Sequence, residues 1–189
     1  MPRLFIGWPV PDPMREEISE AIRPLRTALP SASWVRPETY HVTFAFLGEQ
    51  PEQTVTLIAD SLDEALEGVF AERVRVIRPG FFPDKRRCRV GWLEVVPAEP
   101  LTEVSGRVEN ALVRAGMETD KRVFKPHLTV VRTKGKWTPR DAEHFVDRLD
   151  ALRSKECVFD RVILFGSELT AEGAIHSVLH RVDLVARKD

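Results

Sequence analysis

The 189-residue sequence predicts a mixed helix-and-strand fold built as two similar lobes around one cleft, and three observations carry that expectation. Short β-type runs alternate with amphipathic helical stretches, and no low-complexity linker separates them. Hydrophobic residues make up 43% and charged residues 30%, an ordinary composition for a chain that buries one sizeable core. The sequence also matches itself at an offset of 86 residues. His41 falls on His127, Thr43 on Thr129, Ala65-Leu66 on Ala151-Leu152, Arg75-Val76-Ile77 on Arg161-Val162-Ile163, and Gly80 on Gly166. Apolar character is kept between Val42 and Leu128 and between Phe44 and Val130. Coincidences at strand, helix and turn positions along one offset indicate a duplicated unit. We expect one bilobal domain over residues 1–189, its lobes interleaved in sequence.

Leu4 to Val10 reads as a strand, followed by a helix from Asp12 to Leu29 with an acid in its first turn and apolar residues at 14, 18, 21, 22 and 25. Pro24 predicts a kink or an early end. Ser33 to Val35 is a short extended piece, and His41 to Leu47 a largely buried strand. A turn over residues 48–51 leads into a helix from about Gln53 to Leu66. Val74 to Ile77 is a strand, Gly80 to Pro83 a turn and Cys88 to Val95 a strand. Residues 99–115 are helical, with Gly116 as C-cap. After a strand at His127 to Val131, Thr138 as N-cap and Pro139 at the first helical position open a helix to Leu152. Val158 to Phe165 and Ile175 to Val185 close the chain as strands. No G-x-G-x-x-G or G-K-[ST] is present, so the Gly-rich phosphate loops of dinucleotide and P-loop proteins are excluded.

The 28 Lys and Arg against 29 Asp and Glu give a net charge of −1, which excludes a generally basic binder. The charge is segregated, however. Residues 73–92 carry +6 and residues 121–140 carry +7, leaving −14 on the rest of the chain. Two basic blocks on an acidic body predict a basic cleft. The two cysteines, Cys88 and Cys157, form no C-x-x-C and suggest neither a zinc site nor a disulfide. With no signal-peptide pattern and no apolar run near the length of a membrane span, the expectation is a reduced, soluble, cytoplasmic protein.

The paired His-x-Thr motifs carry the chemistry. On a strand, residues i and i+2 share a face, so His41 projects with Thr43 and His127 with Thr129, over a core of Val42, Phe44, Leu128 and Val130. Imidazoles titrate near neutral pH, so one can remove a proton while the other gives one. The hydroxyls can donate to non-bridging phosphate oxygens. These are the parts needed to open a phosphodiester.

The sequence resembles the two-histidine phosphoesterases, and among them the RNA 2′,3′-cyclic phosphodiesterases, also called 2′-5′ RNA ligases. The resemblance rests on Arg3-Leu4-Phe5-Ile6, on residues 34–49 ending in Phe46-Leu47-Gly48-Glu49, and on Phe82-Pro83 with Arg89-Val90-Gly91-Trp92. It continues through Pro126-His127-Leu128-Thr129-Val130-Val131-Arg132 and Phe165-Gly166-Ser167-Glu168-Leu169. It implies an α+β fold of two lobes, each an antiparallel sheet with helices outside, the active-site cleft lying between them. It also implies hydrolysis of an RNA-terminal 2′,3′-cyclic phosphate to a 2′-phosphate, with no metal and no cofactor. The partner would be such an RNA end or a cyclic nucleotide, with no membrane involved; the sequence leaves the oligomeric state open, a monomer being the expectation. His41 would be the proton donor and His127 the proton acceptor, with Thr43, Thr129 and Arg132 on the phosphate. Arg132 matches the family motif, but strict alternation turns it away from His127 unless the strand ends or bulges. The family usually has a Tyr near the last strand where this chain reads Gly173-Ala174-Ile175-His176, so the resemblance leaves open whether a ring contact is made there. Trp34, Trp92 and Phe82 are assigned to the core, and His144, His176 and His180 to surface or structural positions. The alternative functions are a non-catalytic module holding a nucleotide or RNA end, and 2′-5′ ligation as a side activity.

Overall fold

The computed structural model describes residues 2–30, 32–119, 122–134, 137–170 and 173–187. In chain order it comprises β1 (Arg3–Pro9), α1 (Asp12–Ala28), β2 (Ser33–Trp34), a 3₁₀ turn (Pro37–Thr39), β3 (His41–Glu49) and α2 (Thr54–Leu66). β4 (Glu72–Phe82), β5 (Val90–Val96), α3 (Ala98–Arg114), β6 (His127–Arg132) and α4 (Pro139–Leu149) follow. β7 (Cys157–Phe159), β8 (Arg161–Thr170) and β9 (Gly173–Asp183) complete it.

The strands form one nine-stranded sheet, not the two sheets expected. Its order is β7-β4-β5-β6-β3-β1-β8-β9, with β2 also pairing β6, and every ladder is antiparallel. The halves join where β3 meets β6 at the pair Val42–Leu128. Pairing these two strands removes the open edge each lobe would otherwise present. The junction is short, because β6 goes on to pair with β2 at Val131 and Arg132, leaving β3 to diverge. That divergence opens the cleft.

The strand order reads symmetrically outward from the junction. β1 and β5, α1 and α3, and β3 and β6 are related by 86 or 87 residues at one or both ends, and β4 and β8 by 88 or 89. Yet β4 pairs with β5, and β8 with β1, so each side takes a strand from the other half of the chain. One apolar core underlies both sides: Val42 and Leu128 are wholly buried there, with Ile18 and Ile22 of α1, Leu62 of α2, Val108 of α3 and Phe145 of α4. Burying such a side chain stabilises the fold by about 1.5–3 kcal/mol.

Several local expectations change for identifiable reasons. Helix α1 runs through Pro24, which lies on the exposed face, where the carbonyl left without its donor can be hydrated. Gly80–Phe82 belongs to strand β4 rather than to a turn, and the chain bends only at Pro83. Gly80 is there because the Trp92 ring lies over it: a Cβ would sit 2.2 Å from the indole carbons. The strand expected at 158–165 divides at Asp160 into β7 and β8, and α4 ends at Leu149, short of Leu152. Thr138 does cap α4, forming a reciprocal capping box with Asp141. Cys88 and Cys157 are unpaired thiols. Among the described residues, no helix is long and apolar enough to cross a membrane.

Two glycine substitutions test this packing with opposite signs. Gly80→Ala is expected to lower unfolding free energy by about 1–3 kcal/mol through overpacking against Trp92. Gly106→Ala, in α3 with open space around the new methyl, should raise it by about 0.4–1 kcal/mol. Urea denaturation reads both, and equal effects at the two positions would contradict the packing described.

Candidate active site

His41 and His127 are the first residues of β3 and β6, and each ring is held in the same way. His41 Nδ1 lies 2.7 Å from the Thr39 carbonyl oxygen and His127 Nδ1 lies 2.6 Å from that of Lys125. A carbonyl oxygen only accepts, so Nδ1 must donate, and the neutral ring keeps its lone pair on Nε2. Both acceptors stand two residues before their histidine, 86 residues apart. An aromatic ring braces each imidazole as well: Phe5 at 4.7 Å from His41, and Phe82 edge-on at 4.9 Å from His127. Tautomer and orientation are therefore fixed before any substrate arrives.

Thr43 and Thr129 are half-buried and line the same cleft as the two histidines. Continuing the Val42–Leu128 register by one residue either way sets His41 across from Thr129 and Thr43 across from His127. The four side chains thus form a square with histidines at opposite corners.

Arg132 lines the cleft too, and the reason is a β-bulge. Trp92 pairs with Thr129 and Gly91 with Val131, which leaves Val130 as an extra residue in β6. Val130 and Val131 are both buried, the alternation changes phase, and Arg132 returns to the face of His127 and Thr129. β3 has the matching bulge: Thr43 pairs with Gly7 and Ala45 with Ile6, leaving Phe44 extra. The residue 86 before Arg132 is Phe46, which is exposed at the cleft's other side.

The cleft measures about 1370 Å³. Its charged lining is Arg26, Arg36, Arg89, Arg122, Lys125 and Arg132 against Glu109 among the described residues. The two basic blocks of the sequence meet here, because Val90 of one pairs with Arg132 of the other. Among the described residues, no group of three or more His, Cys, Asp or Glu is placed to hold a metal ion.

Burial disfavours the charged imidazole. His41 is pushed from its ordinary 6.5 down to about 4, by burial first; the Thr39 carbonyl opposes this, and the nearby His176, Arg132 and His127 add to it. His127 is lowered for the same first reason, opposed by the Lys125 carbonyl and reinforced by the charges of Lys125 and Arg132. Both rings are therefore neutral at pH 7.

Two sequence assignments need correction. His176 is not peripheral: it lines the cleft on β9, with its ring edge-on at 5.4 Å from His41 and 4.9 Å from Phe5. A ring contact therefore exists at the position where the replaced Tyr had left it open. Burial, together with Arg36, lowers its pKa. The offset match could not find it, because the residue 86 before is Val90. Phe82 is a cleft wall against His127 rather than core. Trp92 is buried as expected, while Trp34 is half-buried against Trp137. His144 is exposed, and His180 bonds Asp63 at 2.9 Å.

Comparison with known proteins adds the family context. The 2′-5′ RNA ligase superfamily pattern matches residues 10–169. An RNA 2′,3′-cyclic phosphodiesterase of Thermotoga maritima is 32% identical over 178 residues, covering 94% of this chain and 93% of its own. One from Methanothermobacter thermautotrophicus is 29% identical over 178 residues, covering 93% and 95%. The crystal structure of E. coli LigT complexed with 3′-AMP has the same fold, with a TM-score of 0.78, 20% identity, and coverage of 97% and 98%.

The lowered His41 pKa has a stability consequence with a definite sign. A histidine whose pKa is depressed in the fold contributes stability above pH 6.5 that is lost as pH falls toward 4, up to about 3 kcal/mol at 1.36 kcal/mol per unit. His41→Gln should therefore lose less stability than the wild type between pH 6.5 and 4 in urea titrations. Parallel curves would contradict the neutral, buried ring.

Proposed function

This chain belongs to the 2′-5′ RNA ligase superfamily, and on that premise we propose that it hydrolyses the 2′,3′-cyclic phosphate at an RNA end to a 2′-phosphomonoester. One observation carries the reading. Two imidazoles, each pinned through Nδ1 to the carbonyl two residues earlier, offer both Nε2 atoms to one basic cleft.

In this reading His127 Nε2 takes a proton from water as the water oxygen attacks phosphorus. The P–O3′ bond breaks, and His41 Nε2–H passes its proton to the departing O3′. One water is consumed, a 3′-hydroxyl and a 2′-phosphate form, and the proton gained by His127 and lost by His41 is reset by exchange with solvent. Thr43, Thr129 and Arg132 hold the non-bridging oxygens, whose charge grows in the transition state. Assigning the base to His127 is supported by its more open position, since His41 is the more enclosed ring. His41 must carry a proton to act as acid, although burial keeps it neutral down to about pH 4. The phosphodiester supplies the difference: its negative charge against the ring raises the pKa as it binds.

Two measurements test this. Positioned proton transfer contributes about 10²–10⁴-fold, so His41→Ala and His127→Ala should each lower kcat by at least about 100-fold on an oligonucleotide ending in 2′,3′-cyclic phosphate. The melting transition should stay cooperative, EDTA should leave the wild-type rate unchanged, and the product should carry a 2′-phosphate. Activity surviving loss of either histidine, or lost to chelator, would overturn the mechanism. Binding without turnover would instead identify a module that only holds RNA ends.

The pH dependence of kcat/KM reports the free protein. It needs His127 neutral and His41 charged, so it peaks midway between two values that both lie below 6.5. The maximum is expected on the acid side of pH 6.5, with kcat/KM falling through neutrality. A maximum above pH 7.5 would contradict the assignment.

A further inference from the structure

We propose that the β4–β5 loop is a docking site for the RNA strand upstream of the reacting end, an inference that rests on the phosphodiesterase reading of the cleft. The loop, Pro83 to Arg89, carries Lys85, Arg86, Arg87 and Arg89 against the single acid Asp84. Asp84 is largely occupied in shaping the turn. Its Oδ1 accepts the backbone N–H groups of Arg86 and Arg87 at 2.8 and 2.9 Å, and Oδ2 reaches the Arg87 guanidinium only at 3.6 Å. Lys85 is engaged with Glu143 at 3.2 Å. Arg86 and Arg87 remain exposed at the tip.

The loop is tied to the strand that bears His127. The Thr133 hydroxyl donates to the Cys88 carbonyl at 2.7 Å, its N–H donates to the Arg89 carbonyl at 3.0 Å, and the Arg89 N–H donates to Phe82 at 2.9 Å. Phe82, one residue before the loop, touches the His127 ring.

Arg86, Arg87 and Arg89 line a second cavity of about 360 Å³ that has no carboxylate in its wall among the described residues. This cavity shares Pro83 and Arg89 with the catalytic cleft, so the two are contiguous. The proposed hydrolysis uses neither Arg86 nor Arg87. Guanidinium groups beside a phosphate site suit the bidentate geometry of further phosphates. Arg86 lies four residues beyond Phe82, at most about 14 Å away. A stacked strand advances about 3.4 Å per phosphate, so these arginines reach phosphates up to about four nucleotides upstream. A cyclic mononucleotide cannot span that distance.

The test compares wild type with Arg86→Gln/Arg87→Gln on a 2′,3′-cyclic mononucleotide and on an RNA hexamer ending in 2′,3′-cyclic phosphate. Hexamer affinity is read separately by fluorescence anisotropy, using the unreactive 2′-phosphate form between 50 and 200 mM salt. Losing two single-strand phosphate contacts flattens the slope of log affinity against log salt by about 1.4, which is about sevenfold over that range. The double variant should lose the preference for hexamer and show the flatter slope, with mononucleotide turnover unchanged. Arg86→Lys/Arg87→Lys should keep the wild-type slope. Wild-type affinity and slope in the Gln variant would overturn the docking site while leaving the phosphodiesterase reading intact. If wild type turns over neither substrate yet binds the hexamer with an Arg86- and Arg87-dependent slope, the functional reading falls and the docking site stands.

Discussion

The backbone pair between Val42 and Leu128 is the constraint on which the rest of the molecule depends. It makes one sheet of two halves, buries both residues in the shared core, and sets the residues on either side of them into the cleft. Because the side-chain period of a strand is two, each buried residue obliges its neighbours to face the other way. A one-residue slip at this pair would invert that arrangement and bury the histidines. Core packing and site geometry are therefore the same requirement, imposed on opposite faces of the same strands.

The two halves are alike where proton chemistry needs them alike and differ where a substrate needs direction. The carbonyl holding each imidazole, the hydroxyl beside it and the bulge beyond it all recur at the offset of 86. The surroundings break the symmetry: Arg132 stands where the other half has Phe46, and His176 where it has Val90. Both sides carry rings, Phe5 and Phe46 beside His41 and Phe82 beside His127, but Lys125 and Arg132 flank the His127 strand while Arg36 and His176 stand on the His41 side. On the proposed function, that asymmetry gives a ligand with an anionic phosphate and an aromatic base a preferred orientation, and the orientation distinguishes the proposed acid from the proposed base in a pair of otherwise equivalent imidazoles.

Much of this was legible in the sequence because it is local. The His-x-Thr strands, their apolar partners and the Thr138 cap are decided by neighbours in the chain, and the offset of 86 brought the two motifs together without a structure. What escaped is non-local. The bulge at Val130 exists only in the register with β5, so alternation alone turned Arg132 the wrong way. Gly80 reads as a turn until the Trp92 ring, twelve residues on, is seen lying over it. His176 sits on an edge strand whose inward face is decided by its pairing with β8, and no equivalent histidine marks it in the other half. The single sheet followed from an edge-to-edge contact that no residue pattern announces.

The central claim is that both cleft imidazoles, the proposed acid and base, are held neutral, with the proton on Nδ1, before substrate binds. Long-range proton–nitrogen correlation spectra of the histidine side chains, recorded on the free protein across pH, test it directly. The account predicts the Nδ1–H tautomer for both His41 and His127, with His127 titrating below 6.5 and His41 near 4. An Nε2–H tautomer at either ring, or a titration above 6.5, would contradict it.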